Sequence, residues 1–578
     1  MRIHYYLKSS LPVLLFAISV WAYGVPQIVN MRTFRDSVGI YDKYEINLNI
    51  KAQFVNPFDP AEIDIMATFT SPSGKQWKIP GFYYYAFFSD WKVRFSPDEK
   101  GTWKYKILVK DKTGEISSEE KAFYVSASSY HGPVRIASNK RYLEHFDGTP
   151  FFGVGLWYND GYTAFNGGRI EPEELDNFKE LGINFIATFI TPLETWGSGL
   201  GRYDQNLCGR LDEVLGFLEE RDMYLSLNIW FHSYLSETVW GGGNIRWETN
   251  PYQLITPARD FYSSEEAWKF QEKLYRYMIA RWGYSRSLYS WHIIDEVNGT
   301  DGWVSGDSLG AANWSRKIQD FFNKHDPYRH PTTGTRSGGI REWWPDGYEI
   351  YDMAGREIYE AQGFPINRGG NLDSTEVHPL TYSYRNYAGQ VQRLWKEYYK
   401  PAVIPETGWD HTFYEMSMPG YQAMYHNTLW VCLATGSATS PYWWAHSRAL
   451  NDNVLTYQLL NYRRFVDQIP FSKLTNLAPV TVKTSEGDGY AIESDQLIFG
   501  WAANCDRDMA GVTVTLPSVK NIKYKLRLYH TWRGQFILEK EVEVRRNSVS
   551  FDMPVLKIEG GHARYLGQDV AFILEKLE

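Results

Sequence analysis

The stretch SWHIIDEVNG, Ser290–Gly299, is apolar in its first half and then turns acidic at Asp295 and Glu296. A short apolar run followed by polar residues and glycine is typical of a buried strand. Strands buried on both faces are nearly continuous in apolar residues, as in parallel sheets that helices cover. A carboxylate at the carboxyl end of such a strand lies where barrel enzymes carry their chemistry. We therefore take Glu296 as a candidate proton donor.

A second stretch has the same construction. PAVIPETGW (Pro401–Trp409) contains a short apolar strand, Ala402–Ile404, followed by Glu406 and a Thr-Gly turn. Counted along the chain, the two stretches are barrel strands four and seven, so both carboxylates are expected at one mouth. Two carboxylates at one cleft suit hydrolysis of a glycosidic bond, with one as acid and the other as nucleophile or stabiliser. A gap of about 5 Å predicts retention of configuration, and a wider gap predicts inversion.

Alternating strand and helix patterns surround these two stretches. Eight strand candidates, most of them separated by helices, extend over roughly 250–350 residues, which is the length of such a barrel. On both sides the pattern changes to short strands of alternating apolar and polar residues, which predicts antiparallel sandwiches. The expected fold is multidomain, a (β/α)8 TIM barrel flanked by two antiparallel β-sandwich domains. The expected segments are a signal peptide (1–24), an immunoglobulin-like β-sandwich (25–128), the catalytic barrel (133–470) and a C-terminal β-sandwich (475–578).

The later barrel strands are predicted from shorter signals. STEVHPL (Ser374–Leu380) is the candidate for strand six, and SATSPYWW (Ser437–Trp444) is the candidate for strand eight. A long insertion, Gly339–Asp373, is predicted between strands five and six, and it contains Tyr359. Loops on this side of a barrel shape access to the cleft.

Composition narrows the possible partners. The 578 residues carry a net charge of −8, which argues against nucleic acid because phosphate binding needs clustered Lys and Arg. Aromatic residues make up 17% of the chain, which suits stacking on sugar rings, although some of these rings must fill cores. The three cysteines lie far apart and match neither a disulfide framework nor a metal site. We expect no cofactor and no metal, and the oligomeric state stays open.

The first residues predict export. Arg2 and Lys8 precede an apolar run, Leu11 to Ala22, that is too short to span a bilayer and is typical of a secretory signal peptide. No cysteine lies nearby to carry a lipid, and no other stretch is long enough for a transmembrane helix. We therefore expect a secreted or periplasmic protein without a membrane span in its mature form.

With Asp295–Glu296 closing strand four and Glu406 closing strand seven, the chain resembles the clan A retaining glycoside hydrolases. These eight-stranded barrels include cellulases, mannanases, β-galactosidases and β-xylosidases. The resemblance covers about Pro133–Pro470, and the flanking sandwiches are similar to those of multidomain bacterial secreted glycosidases. It implies that Glu296 is the acid/base, that Glu406 is the nucleophile and that the substrate is a carbohydrate.

The resemblance also implies substrate-binding residues. The family often has a histidine on strand three, a His-x-Tyr pair on strand six and an aromatic residue at the end of strand eight. It usually has Asn before the acid/base, in contact with the sugar 2-hydroxyl, whereas this chain has Asp295, whose charge would raise the pKa of Glu296. Leu380 occupies the expected place of the strand-six tyrosine, and Tyr382 follows two residues later. The resulting candidates are Asp295, His232, His378, Tyr382, Trp443, Trp444 and Trp157.

Several alternatives stay open. Asp410, Glu194 and Glu376 are rival acids near predicted strand ends, and the candidate histidines and Trp157 could belong to the core. A non-catalytic carbohydrate-binding or scaffold protein on a degenerate barrel is the alternative function, and a salt bridge at Glu406 would favour it. An inverting hydrolase with a wider carboxylate gap is a third possibility.

Overall fold

The structure is a computed structural model that describes residues 24–86, 89–158, 171–190, 192–305, 308–338, 343–359, 379–408, 419–444, 453–556 and 568–577. The predicted signal peptide therefore lies outside the described residues, apart from Gly24. Within the described part of the chain, no helix combines the length and the apolar character needed to cross a membrane.

Ten short strands form the N-terminal part. They are β1 (Gln27–Thr33), β2 (Ser37–Gly39), β3 (Tyr44–Lys51), β4 (Ile63–Thr70), β5 (Gln76–Pro80), β6 (Phe82–Ala86), β7 (Ser89–Phe95), β8 (Gly101–Asp111), β9 (Gly114–Ser117) and β10 (Lys121–Ser126). One sheet has the order β1-β3-β7-β6, and the other has the order β2-β10-β8-β4-β5 with β9 beside β8. Alternate residues of β4 are buried, as a strand with one face on a core requires, and both sheets contribute to one apolar core.

The central part contains twelve strands. They are β11 (Val134–Ile136), β12 (Leu143–His145), β13 (Pro150–Phe151), β14 (Gly155–Trp157), β15 (Phe185–Phe189), β16 (Tyr224–Phe231), β17 (Leu288–Asp295), β18 (Thr332–Thr333), β19 (Ala354–Gly355), β20 (Ile358–Tyr359), β21 (Ala402–Val403) and β22 (Thr407–Gly408). Strands β11 to β13 form a small antiparallel sheet, and β14 to β18 form a parallel sheet in chain order. The residues of β15 and β17 are all buried, as predicted for strands covered on both faces.

Further parallel contacts continue from β18. The Met353 N–H donates to the Thr332 carbonyl at 3.0 Å, β19 pairs with β21, and β20 pairs with β22. Isolated parallel bridges join β22 to Trp443 and Trp443 to Leu156 of β14. The parallel contacts that start at β14 therefore lead, strand by strand, back to β14.

Helices lie between most of these strands. The helices in the described residues are α1 (Pro172–Glu180), α2 (Gln205–Arg221), α3 (Glu265–Trp282), α4 (Asp301–Val304), α5 (Ser308–His325), α6 (Pro345–Ile350), α7 (Pro379–Glu397), α8 (Pro419–Thr435) and α9 (Asn453–Val466). Two of them begin with residues that favour a helix start. Helix α1 has its proline in the first turn, and the hydroxyl of Ser264 caps α3 by accepting from the Ala267 N–H at 3.1 Å.

The sixth parallel position is not where the sequence predicted it. Of the candidate strand Ser374–Leu380, residues 374–378 lie outside the described residues, and the last two begin helix α7. The sixth position is held instead by β19 and β20, which lie inside the predicted insertion. The prediction is wrong because this strand is formed by two pieces of two residues each, with the charged Arg356 and Glu357 between them.

The C-terminal part is again made of strands. They are β23 (Ala478–Val480), β24 (Lys483–Thr484), β25 (Asp488–Glu493), β26 (Leu497–Ala503), β27 (Thr513–Leu516), β28 (Lys523–His530), β29 (Gln535–Glu543), β30 (Val549–Asp552) and β31 (Asp569–Lys576). Six form an antiparallel sheet in the order β23-β25-β26-β31-β28-β29, and β24, β27 and β30 form a second one. Side chains from both sheets share one apolar core.

Candidate active site

Glu296 lies in the turn that follows strand β17, and Asp295 is the last residue of that strand. The backbone of Glu296 has φ 53° and ψ 56°, the left-handed region, although the residue is not glycine. Such a conformation costs of order 1–3 kcal/mol and persists where the surrounding structure enforces it, often at functional sites. The backbone therefore points to a functional role for Glu296.

Thr335, just past β18, holds this turn in place. Its hydroxyl accepts a hydrogen bond from the N–H of Glu296 at 2.9 Å and donates one to Asp295 Oδ1 at 3.0 Å. Its own N–H donates to the carbonyl of Ile294 at 2.9 Å, and its carbonyl accepts from the N–H of Val297 at 3.0 Å. Thr335 thus holds the backbone of Glu296 and the carboxyl of Asp295 in place.

His232 is the basic partner of Glu296. It follows β16 directly, and its Nδ1 lies 2.9 Å from Glu296 Oε2. Burial is the largest single effect and would lower the pKa of His232, but the charge and hydrogen bond of Glu296, together with the charge of Asp295, raise it overall. Burial would likewise raise the pKa of Glu296, but the charge and contact of His232 lower it. The two side chains therefore form an ion pair of a cationic imidazole and a carboxylate.

Asp295 lies between the two predicted catalytic residues. Its carboxyl is within 4.8 Å of a carboxyl oxygen of Glu296 on one side and of Glu406 on the other. Its Oδ1 is also 3.6 Å from His292 Nε2, but burial lowers the pKa of His292 to about 3, so this ring is neutral. Burial and the charge of Glu296 raise the pKa of Asp295 to about 7. This acid is therefore partly protonated at neutral pH.

Glu406 lies between β21 and β22 and is buried. The hydroxyl of Tyr359, on β20, donates a hydrogen bond to Glu406 Oε1 at 2.6 Å, whereas Oε2 has no hydrogen-bond partner. Burial and the charges of Asp295 and Glu296 raise the pKa of Glu406 well above its usual value. In the ligand-free site Glu406 therefore holds a proton.

One further carboxyl belongs to this site and was missed by sequence reasoning. Glu357, between β19 and β20, is fully buried, and neither of its carboxyl oxygens accepts from an N–H or hydroxyl donor, whereas its carboxyl shares a hydrogen bond with that of Glu296. Burial and the charges of Glu296, Glu406 and Asp295 raise its pKa well above the usual value. The available signal was the run GREIY (Gly355–Tyr359), whose Glu-x-Tyr spacing equals the His-x-Tyr spacing expected on strand six.

Two overlapping groups of side chains have the spacing of metal ligands. Atoms of His232, Asp295 and Glu296 all lie within 4.8 Å of one another, and so do oxygens of Asp295, Glu357 and Glu406, here called the carboxyl trio. The first group already contains the internal ion pair. The carboxyl trio offers only oxygen atoms, which are the ligands of hard cations such as Ca²⁺ and Mg²⁺.

The predicted aromatic residues differ in exposure. Trp157 is fully buried, donates from Nε1 to the Pro405 carbonyl at 2.6 Å, and stacks on Phe189 with ring centres 4.6 Å apart. Trp443 is buried as well. Trp444 is half-buried and meets Trp157 edge to face at 5.7 Å. Of the two neighbouring tryptophans, Trp444 is thus the more exposed, while Trp157 occupies a core position beside the site.

Two other predicted substrate-binding residues depended on the strand-six prediction. His378 lies outside the described residues. Tyr382 lies on helix α7, so its predicted place near a strand end is wrong. Tyr359, which the sequence placed in an insertion, takes the strand-six position beside Glu406.

The rival acids do not join this cluster in the described residues. Glu194 is buried, and its Oε1 accepts from the Gly201 N–H at 2.8 Å. Burial raises the pKa of Glu194 to about 8, but Glu194 hydrogen-bonds to the backbone of Gly201 and to Tyr252 rather than to the four carboxyls of the site. Asp410 and Glu376 lie outside the described residues.

Comparisons with known proteins support the fold. A family model described as a domain of unknown function (DUF5060) matches residues 37–110, within the N-terminal sheets. No curated protein matches the chain. The solved structure of a candidate glycoside hydrolase from Bacteroides vulgatus has a TM-score of 0.61 and 16% identity, covering 94% of this chain and 100% of that one. At this identity the likeness shows a shared fold over nearly the whole chain.

Two further structures are more distant. A family 5 mannosidase from Rhizomucor miehei has a TM-score of 0.43 and 15% identity, covering 59% of this chain and 99% of that one. An endo-1,4-β-D-mannanase from Thermotoga petrophila has a TM-score of 0.41 and 14% identity, covering 55% of this chain and 100% of that one. These scores are too low to carry an argument. The comparisons therefore show that this chain has the multidomain, β-rich fold of a candidate glycoside hydrolase.

Proposed function

We propose that this protein is a glycoside hydrolase that cleaves O-glycosidic bonds of a poly- or oligosaccharide. The observation that carries the proposal is the meeting of Asp295, Glu296 and Glu406 at the ends of parallel strands. The fold shared with a candidate glycoside hydrolase supports the class. The parallel contacts that lead from β14 back to β14 support a central (β/α)8 barrel, with a β-sandwich on each side.

The proposed mechanism is a retaining double displacement. Glu406 attacks the anomeric carbon while Glu296 protonates the leaving oxygen, and Glu296 then takes a proton from the water that hydrolyses the glycosyl-enzyme. The hydrogen bond from Tyr359 holds Oε1 of Glu406 and leaves Oε2 for the attack. His232 orients the carboxyl of Glu296 from the other side.

The ligand-free protonation pattern also supports the reverse assignment. Glu296 is the ionised carboxyl because His232 faces it, and Glu406 is the protonated one. If substrate binding does not change this pattern, Glu406 is the acid and Glu296 the nucleophile. Because the carboxyls titrate as a coupled group, the kinetics of variants must decide between the two.

The test uses E296A and E406A on aryl glycosides of a confirmed substrate sugar, with 2,4-dinitrophenol as good and phenol as poor leaving group. Loss of a general acid costs about 10²–10⁴-fold with phenol, and much less with dinitrophenol, which needs no protonation. We expect this pattern for E296A, whereas E406A loses activity on both substrates. The opposite result assigns the reverse roles, and wild-type turnover in both variants overturns the proposal.

The stereochemistry is tested separately. Proton NMR of the first-formed sugar distinguishes retention from inversion before mutarotation obscures it. Retention supports the double displacement, and inversion supports the single-step mechanism with a wider carboxylate gap.

The scaffold alternative has less support. A lysine or arginine paired with Glu406 would favour it, but the described contacts of Glu406 are with Tyr359 and other carboxyls. We further propose that residues 1–24 direct export of the protein, to the periplasm or out of the cell. N-terminal sequencing of the mature protein after cell fractionation tests this, and a cytoplasmic protein with an intact Met1 contradicts it.

A further inference from the structure

The carboxyls around the proposed catalytic residues outnumber the cations that pair with them. Once Glu296 is paired with His232, the carboxyl trio remains. Among the described residues, no lysine or arginine forms an ion pair with any member of the trio. Thr335 and Tyr359 each donate one neutral hydrogen bond to it. Asp295 Oδ2, both oxygens of Glu357 and Glu406 Oε2 receive no N–H or hydroxyl donor. The remaining hydrogen bonds of these acids are with one another and with Glu296.

Glu357 is the member that makes this a binding site rather than a solvated acidic patch. Its side chain is fully buried, its carboxyl lies beside those of Asp295 and Glu406, and its hydrogen bond among the described residues is with the carboxyl of Glu296 rather than with an N–H or hydroxyl donor. A buried carboxyl without a donor is costly, and buried charges in proteins are normally paired. In the ligand-free site the raised pKa values of Glu357 and Glu406 mean that protons neutralise these acids. A cationic ligand with N–H donors can replace those protons.

We propose that the carboxyl trio binds the protonated amine of an amino sugar. An ammonium group carries one positive charge and three N–H donors, which matches a pocket of several unpartnered oxygens. The inference rests on the proposed function, which supplies the sugar. A metal ion held by the same oxygens would occupy Glu406 and prevent its attack on the substrate, so the sugar amine is the cation compatible with catalysis.

The bound cation also changes the protonation of the site. A positive charge beside the trio favours the ionised form of each carboxyl, so Glu406 releases its proton and becomes a nucleophile. Among the described residues, the other titratable groups that face the trio are Glu296, His232, His292, Tyr359 and Arg356. Binding of an amino sugar is therefore coupled to release of protons, whereas binding of a neutral sugar is not.

Titration calorimetry on the wild-type protein at pH 7 tests the binding. The ligands are glucosamine, galactosamine, mannosamine and 6-amino-6-deoxyglucose, each compared with its hydroxyl parent and its N-acetyl derivative. We expect at least one amino sugar to bind at least about tenfold more tightly than both its hydroxyl parent and its N-acetyl derivative, a difference of about 1.4 kcal/mol. Its heat should differ between phosphate and Tris buffers because protons are released. Equal affinity for the neutral sugars overturns the inference.

The variant E357Q tests the residue. It keeps the size of the side chain and removes the negative charge that Glu357 carries once the bound cation has displaced its proton, so the ratio of amine to hydroxyl affinity should fall about tenfold. E194Q is the matched control, because it makes the same change in a buried carboxyl that bonds to Gly201 instead of the trio. Its ratio should equal that of the wild type. An unchanged ratio in E357Q contradicts the inference.

The other possible source of positive charge is a metal ion. Calcium and manganese chlorides, added to chelator-treated protein, test whether the trio binds a metal ion instead of a sugar amine. Metal binding that is lost in E357Q, without any preference for amines, overturns the assignment to a sugar. Different results contradict the amine-binding inference and the proposed function. Hydrolysis of neutral glycosides with no amine preference leaves the function standing, whereas tight amine binding without hydrolysis of any glycoside leaves the binding site standing.

Discussion

At Asp212, where helix α2 meets the N-terminal sheets, one buried carboxylate lies between two arginines, whereas the carboxyl trio has none. Arg94 Nη1 lies 2.6 Å from Asp212 Oδ1, and Arg281 Nη2 lies 2.7 Å from Oδ2. The indole N–H of Trp282 donates to the same carboxylate at 2.9 Å. Burial alone would raise the pKa of Asp212, but the two arginines lower it far below its usual value.

The difference between these clusters indicates what each is for. At Asp212 every charge finds its partner within the protein, so the cluster contributes to joining the N-terminal sheets to the central part. In the trio, burial pushes the pKa values of all three acids upward. The cationic His232 lowers the pKa of Asp295 only in part, and no lysine or arginine of the described residues forms an ion pair with the trio. Acids with shifted pKa values and no cationic partner are common at functional sites, whereas a cluster that only stabilises the fold is better served by paired charges.

The largest effect is expected from D212N. The variant leaves two buried arginines short of a charged partner, and breaking a buried pair costs about 3–5 kcal/mol. We expect a marked fall in the melting temperature, measured by calorimetry at pH 7. E397Q is the control, because Glu397 pairs with Arg393 on the exposed face of α7 and an exposed pair contributes less than about 1 kcal/mol.

The pH dependence of D212N follows from the lowered pKa. The wild type has the full contribution of Asp212 above the unfolded pKa of about 3.9, and loses it as pH falls through the folded pKa. D212N lacks this contribution, so the two proteins should converge in stability at acid pH. A constant difference from pH 7 to pH 2 would show that the charge of Asp212 is not what stabilises the junction.

A smaller effect is expected from Y359F. This variant tests whether a neutral hydrogen-bond donor lowers the pKa of a carboxyl in the trio, as the two arginines lower the pKa of Asp212. The hydroxyl of Tyr359 lowers the pKa of Glu406 through its hydrogen bond, against the larger effect of burial. A hydrogen bond to a charged group contributes about 1.5–3 kcal/mol, so kcat/KM should fall about 10–100-fold. The acid limb of the pH–rate profile should also move to higher pH. A loss of activity with an unchanged profile would indicate a purely structural role.

The stability of E357Q should change in the opposite direction to that of D212N. The folded state keeps the proton on Glu357 above the pH of about 4.3 at which the unfolded chain loses it. Stability therefore falls as pH rises above that value, and E357Q removes this cost. We expect a gain of about 0.5–2 kcal/mol at pH 8 and almost none at pH 4, measured as melting temperatures. A variant that is less stable at pH 8 would show that Glu357 has a structural partner.

The two clusters also show which parts of the structure were predictable from sequence. Strand β17 and the strand before Glu406 are apolar runs that end on a carboxylate, so both glutamates could be predicted and assigned to one mouth. The sixth strand has no such run, because Arg356 and Glu357 interrupt it and are buried only through the tertiary fold. Arg94 and Asp212 are 118 residues apart, so no local pattern could pair them.

The same limit applies within the site. The sequence indicated that His232 and Glu296 close neighbouring strands, but their 2.9 Å contact depends on the twist and register of the folded strands. It also indicated that Asp295 would raise the pKa of Glu296. The structure reverses this direction because His232 lowers the pKa of Glu296, and the acid that is raised is Asp295 itself. The sequence shows which neighbouring charges act on the pKa of a residue, but it does not show which of these opposing effects is larger.

The smallest expected effect, from D295N, tests whether the trio behaves as one unit. The charge of Asp295 raises the pKa of Glu406, after the larger effect of burial, so its removal should move the acid limb of kcat/KM down by about one pH unit. This is the opposite direction to Y359F, and the double variant should lie between the two. If D295N changes the rate but leaves the limb in place, Glu406 titrates independently of Asp295. Coupled acids lose their protons in shared steps. A shifted acid limb would therefore show that the pKa of the nucleophile depends on the whole trio.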